Sequence, residues 1–115
     1  MGKYEDREYI RSRMGYYKEE LDQCYKEMES IKYEMESARG NISYYSNEIE
    51  YYYSVWNPRE YCDQAHMDSL KSNRRSYIEV KNNLKENLDD LYRKKDDIKS
   101  RLNDLRIDLN HTYDY

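Results

Sequence analysis

The 115-residue sequence predicts an all-α protein: an antiparallel two-helix coiled-coil hairpin, completed into a four-helix bundle by self-association or by a partner. Three observations carry this. Apolar residues recur at alternating spacings of four and three over both halves of the chain, the signature of a coiled-coil seam. The single proline sits close to the midpoint, inside a cluster of helix-start signals. And 38% of the residues are charged while only three are glycine, a composition that suits long helices with a narrow buried seam.

Helix 1 is expected over about residues 4–56. Its seam reads Ile10, Met14, Tyr17, Leu21, Cys24, Met28, Ile31, Met35, Ala38, Ile42, Tyr45, Ile49, Tyr52 and Trp56, with Ile10 at heptad position d and Met14 at a. The phase does not slip, and a continuous helix over this span would be about 70 Å long at 1.5 Å per residue. Two glycines interrupt its propensity. Gly15 lies off the seam, but Arg39-Gly40-Asn41 resembles a helix stop. Because Ala38, Ile42 and Tyr45 hold the phase across it, the sequence favours one helix, bent at most, over a break.

The turn is expected at about 56–58. Asn57 is a favoured N-cap, and Pro58 falls at the first helical position, where its missing N–H is not needed. Glu60 is placed to close a capping box on Asn57, and Trp56 with Tyr61 to form a hydrophobic staple. These five residues, Trp56, Asn57, Pro58, Glu60 and Tyr61, are the candidate turn site.

Helix 2 is expected over about 58–110. Leu70, Tyr77, Leu84, Leu91, Ile98 and Leu105 occupy d, and Met67, Arg74, Lys81, Leu88, Lys95, Leu102 and Leu109 occupy a. Arg74 and Lys81 weaken the seam near the turn, where Ile78 and Val80 flank the stripe and could take over burial through a local change of register. Residues 111–115 read as a frayed tail. Folding at 57–58 brings Leu84 to Ile31, Tyr77 to Ala38 and Leu70 to Tyr45. The whole chain forms one domain by its length.

The net charge of −4 and the even mixing of signs argue against nucleic acid, which needs a positive face to neutralise phosphates. No apolar run reaches the ~18 residues that a membrane span requires. Cys24 and Cys62 would lie roughly 40 Å apart in the hairpin, far beyond disulfide reach, and are expected to be free thiols. Cys62 and His66 are spaced i, i+4, which is half a zinc site at most. No phosphate loop, nucleophile–base pair or carboxylate pair in a cleft is recognisable, so no enzyme activity, cofactor or metal is expected.

What remains is association. A lone hairpin has one seam and should be marginally stable. Sixteen of the residues are Tyr and none is Phe. Tyr9, Tyr16, Tyr44 and Tyr51 share position c of helix 1, and Tyr25 and Tyr53 line its e side. Two readings stand, a generic adaptable surface or a widened face that docks further helices. Tyrosines wet on one edge and buried on the other are typical of interfaces, which makes Tyr9, Tyr16, Tyr44 and Tyr51 the candidate partner-binding residues.

An acidic helical hairpin of this size with Trp at its turn resembles the small WXG-type proteins of type VII secretion, the early-secreted-antigen-like family. Trp56-Asn57-Pro58 stands where that family has Trp-X-Gly, with Pro58 in place of the glycine. The rhythm Trp56, Tyr61, Leu70, Tyr77, Leu84 is more similar to YwqH-like helical proteins associated with LXG toxins. The resemblance covers about residues 4–110. It implies a non-enzymatic, chaperone-like partner or targeting protein for the helical N-terminal segment of an LXG-type effector, located in the bacterial cytoplasm and exported, if at all, without a cleaved leader. It also implies an export signal of the form Tyr-x-x-x-Asp/Glu. Tyr92 with Asp96 is the candidate, although Tyr4/Glu8, Tyr16/Glu20, Tyr25/Glu29 and Tyr44/Glu48 fit the same pattern. The alternative is a self-associating coiled-coil scaffold or adaptor.

Overall fold

A computed structural model describes the backbone of residues 3–55 and 61–113, and the side-chain environments of residues 6–55 and 64–112. Helix α1 spans Lys3–Val55 and helix α2 spans Tyr61–Tyr113, each of 53 residues. The two pack against each other as an antiparallel helical hairpin: the start of α1 meets the end of α2, and the end of α1 meets the start of α2. Trp56, Asn57, Pro58 and Glu60 lie outside the described residues, and Tyr61 is the first residue of α2.

α1 runs through both glycines without interruption, and neither has a positive φ. Gly40 sits at heptad position f, on the exposed side, with Ala38 buried two residues before it. Arg39 donates to Glu36 one turn back at 2.7 Å, on the N-terminal side of Gly40. The seam contacts on either side therefore hold the helix that local propensity would release at this point.

Contacts divide the hairpin into two units. Unit 1 comprises Met1–Ser30 and Leu88–Tyr115, and unit 2 comprises Ile31–Asn87. The core of unit 1 is Tyr17, Cys24, Ile98 and Leu102, with Met14, Leu21, Leu91 and Leu105 packed around it. Cys24 is a free thiol with 1% of its surface exposed, so it acts as a small apolar residue filling the seam. The core of unit 2 is Ile49, Met67 and Leu70, flanked by Tyr45 and Tyr52. Tyr77 stacks on Tyr45 with ring centroids 5.8 Å apart and planes at 21°. It also shares a groove with Ala38 and Leu84, so the large ring sits beside the small residue anticipated for it.

Every seam residue anticipated within 10–52 and 67–109 is buried or half-buried. The alternative register near the turn is not adopted. Ile78 and Val80 remain 37% and 47% exposed, while Arg74 and Lys81 stay half-buried on the seam. Long cationic side chains can lay their methylenes along apolar neighbours and keep the charge in water, so a cation at position a does not force the helix to rotate. Lys95 illustrates the device in unit 1. Its side chain is 19% exposed, with Nζ 5.0 Å from the Tyr92 ring centre and 3.6 Å from Asp96.

α2 also continues past residue 110, the end anticipated from the apolar pattern, to Tyr113. Thr112 falls at the next d position and is half-buried. Its Oγ1 donates to the Leu109 carbonyl at 2.6 Å, and its own carbonyl accepts from Arg7 Nη2 at 3.3 Å. Polar contacts thus carry the last turn after the apolar stripe has ended.

Candidate partner-binding surface

The position-c tyrosines of α1 are between 50% and 67% exposed. In unit 1, Tyr16 packs edge-on against its buried neighbour Tyr17, with centroids 5.4 Å apart. Unit 2 repeats this arrangement twice, as Tyr44 on Tyr45 (5.1 Å) and Tyr51 on Tyr52 (5.5 Å). Each tyrosine doublet therefore has one ring in the seam and one ring held against it, facing outward. An edge-to-face partner restricts an exposed ring before anything docks on it, which lowers the entropy lost on binding. Tyr9 has Ile10 as its seam neighbour and lines an open groove with Asp6, Ile10, Asp108, His111 and Thr112.

Around Tyr17 the unit 1 surface is polar. Arg13 Nη2 and Arg101 Nη1 both donate to the Tyr17 phenol oxygen, at 3.0 and 3.1 Å. Both guanidinium groups also lie over its ring, at 5.1 and 5.8 Å from the centroid. Arg101 Nε donates to Asp97 at 3.0 Å, and Tyr16 Oη donates to Glu20 at 2.8 Å. These groups, with Lys94, line a groove of about 320 Å³. The two phenols are driven in opposite directions. The Arg101 hydrogen bond draws Tyr17 below the ordinary tyrosine range, and the Glu20 hydrogen bond pushes Tyr16 above it. Arg101 is in turn raised, first by Tyr17 and then by Asp97.

In unit 2 the corresponding flank is apolar. Tyr33, Ala38, Tyr77, Val80 and Leu84, with Glu34, Ser37 and Asn41 at the margin, enclose a groove of about 280 Å³. Ala38 leaves the space, and Val80, left out of the seam by the unslipped register, forms one wall. Tyr52 meets His66 of α2 edge-on at 4.5 Å. His66 is thereby engaged with an aromatic ring, and among the described residues no group of three His, Cys, Asp or Glu side chains converges on a metal position. The Cys62 side chain lies outside the described set.

The opposite flank of each unit is formed by the e positions. In unit 1 these are Arg11, Lys18 and Tyr25 on α1 and Tyr92, Lys99 and Arg106 on α2; Lys99 Nζ lies 6.0 Å from the Tyr25 ring centre. In unit 2, Lys71 Nζ lies 5.1 Å from the Tyr53 ring centre. No e position between 11 and 106 carries a carboxylate. Tyr92 is half-buried and Asp96 exposed beside Lys95, so of the candidate export pair only the acid is fully presented. Among the described residues no helix is long and apolar enough to cross a membrane.

Compared with family models, with curated proteins and with solved structures, the chain matches none. The surface must therefore be interpreted from its own chemistry. The seam periodicity located the exposed tyrosines but passed over the Arg13–Tyr17–Arg101 clamp and the basic flank. Both were signalled by position: an arginine four residues before a seam tyrosine, and a heptad position from which acids are missing.

Proposed function

We propose that this chain is a non-enzymatic helical partner protein that packs beside the helical N-terminal segment of an LXG-type, type VII secreted effector and carries part of its export surface. The observation that supports it best is the apolar groove of unit 2 at Tyr33, Ala38, Tyr77, Val80 and Leu84, open to solvent beside a thin seam. An amphipathic helix reads such a groove with side chains at i, i+3 and i+4. The exposed doublet rings of Tyr44 and Tyr51 would widen the contact, and Tyr9 and Tyr16 would serve unit 1 in the same way. Binding is stoichiometric, with burial of the partner's apolar face as its driving force. It requires no cofactor, nucleic acid or membrane span.

Co-expression with an LXG-type N-terminal segment tests the reading. The two chains should co-elute in size-exclusion chromatography, and Val80→Glu, which puts a charge in the groove wall, should separate them. Elution of the two chains at their separate volumes would reject the effector assignment. The second reading is a self-associating scaffold in which the same grooves accept a second hairpin to give a four-helix bundle. Sedimentation equilibrium of the chain alone would then return a tight dimer that Val80→Glu dissociates.

A further inference from the structure

We propose that the e flank of unit 1, formed by Arg11, Lys18 and Tyr25 of α1 and Tyr92, Lys99 and Arg106 of α2, is a docking strip for an acidic helix of a partner, with carboxylates spaced at seven residues. This builds on the proposed role as a partner protein and specifies the chemistry of one contact.

The strip departs from what a self-sufficient hairpin would select. In an antiparallel pair the e residues of the two helices face one another across one edge of the seam, and the Lys99–Tyr25 contact shows that they share it here. Opposite charges on such an edge stabilise a pair, and like charges weaken it. The chain has 24 acids to 20 bases, yet all four charged residues on this edge are cations. Lys18 and Arg106 are exposed and, among the described residues, neither has an ion-pair partner. Arg11 pairs with Glu8 at 3.5 Å, with both side chains about half exposed. Across the edge Lys99 lies over the Tyr25 ring, so a cation of one row meets a tyrosine of the other.

The flanks of the strip define what fits it. Position b of α1 carries Glu8, Gly15, Asp22 and Glu29, and position b of α2 carries Asp89, Asp96, Asn103 and Asn110. Carboxylates therefore border the strip along α1 and beside Tyr92 on α2, which narrows the positive surface that a broad anionic partner would meet. A single helix is narrow enough to avoid these carboxylates. Cations in each row recur every seven residues, about 10 Å along a helix, so an acidic helix with the same repeat can match them in register. Tyr25 and Tyr92 would cover one end of the docked helix.

The probe is a fluorescent 21-residue helical peptide with Glu at one heptad position, and the control carries Lys at those sites. Anisotropy with the full-length protein should register the acidic peptide and not the basic one. Raising NaCl from about 50 to 500 mM should weaken binding, since the pairs are solvent-exposed. Lys99→Glu with Arg106→Glu should weaken it at least tenfold. Should that variant fail to fold by circular dichroism, Lys18→Gln with Arg106→Gln gives the same binding test. Equal binding of both peptides, unchanged affinity in the variants, or preferential binding of phosphatidylserine vesicles or a polynucleotide would each overturn the inference. If the charge-dependent peptide binding holds while the effector segment fails to co-elute, the effector assignment falls and the strip stands. The reverse pair of results removes the strip alone.

Discussion

Replacing Gly40 by Ala should stabilise the protein, and the size of the effect follows from its surroundings. A Cβ built at Gly40 meets nothing within 4 Å, the backbone has no positive φ, and the position faces solvent. No steric or packing cost opposes the change, so the full difference in helix propensity should appear, about 0.8–1.0 kcal/mol. Part of it arises in the unfolded chain, whose backbone freedom alanine reduces. For a chain of 115 residues this corresponds to a rise in melting temperature of about 4 °C. Urea unfolding followed by circular dichroism at 222 nm measures it as a higher midpoint at constant slope. Gly15 meets the same conditions, and the two sites are 25 residues apart in α1, so the double variant should show the sum of the two gains. A lowered midpoint for Gly40→Ala would mean that α1 needs a flexible break at Arg39-Gly40-Asn41 and would refute the continuous helix.

Ile98→Ala removes a side chain that is 2% exposed in the unit 1 core, and should cost about 2–4 kcal/mol in urea unfolding. Val80→Ser should change the stability of the isolated chain by less than about 0.5 kcal/mol because Val80 lies outside the seam; a loss several times larger would signal that the register does slip. The phenol pair gives a pH signature. Tyr17 is depressed, so its ionised form is favoured by folding: its contribution to stability grows as pH rises through its titration and is complete above the unfolded value of 10.0. Tyr16 is raised, so its contribution is present below 10.0 and is lost as pH climbs through the folded value. In spectrophotometric titration at 295 nm, Tyr17→Phe should delete an ionisation below pH 10 and Tyr16→Phe one above it. Arg101→Met should return Tyr17 toward the ordinary range.

The residues that made the fold legible are those whose burial follows from spacing alone. Cys24, Ala38 and Tyr17 are unlike one another chemically, yet a strict repeat places all three in the seam, and all three are buried. Spacing also held where residue type argued against it. Arg74 and Lys81 looked unfit for a seam because they are charged, and Ile78 and Val80 looked wasted outside it. The competition is settled by the length of the cationic side chains, which pattern does not weigh. The last turn of α2 lies beyond the apolar pattern because Thr112 holds it through hydrogen bonds rather than apolar contact. For the surface, the sequence marked the exposed tyrosines but not what orients them. The edge-on doublets and the two arginines converging on one phenol depend on χ angles and on contacts between distant parts of the chain, neither of which the heptad pattern encodes.

The proposed role makes this hairpin one part of an assembly, with a seam too thin to serve alone. Scanning calorimetry of the isolated chain, repeated with an added LXG-type N-terminal segment, decides the matter. A low melting temperature is expected for the chain alone, with a rise in segment concentration adding stability in the form that linked binding requires, about 2.7 kcal/mol at one hundred times the dissociation constant. A high melting temperature that the segment leaves unchanged would refute the proposed assembly.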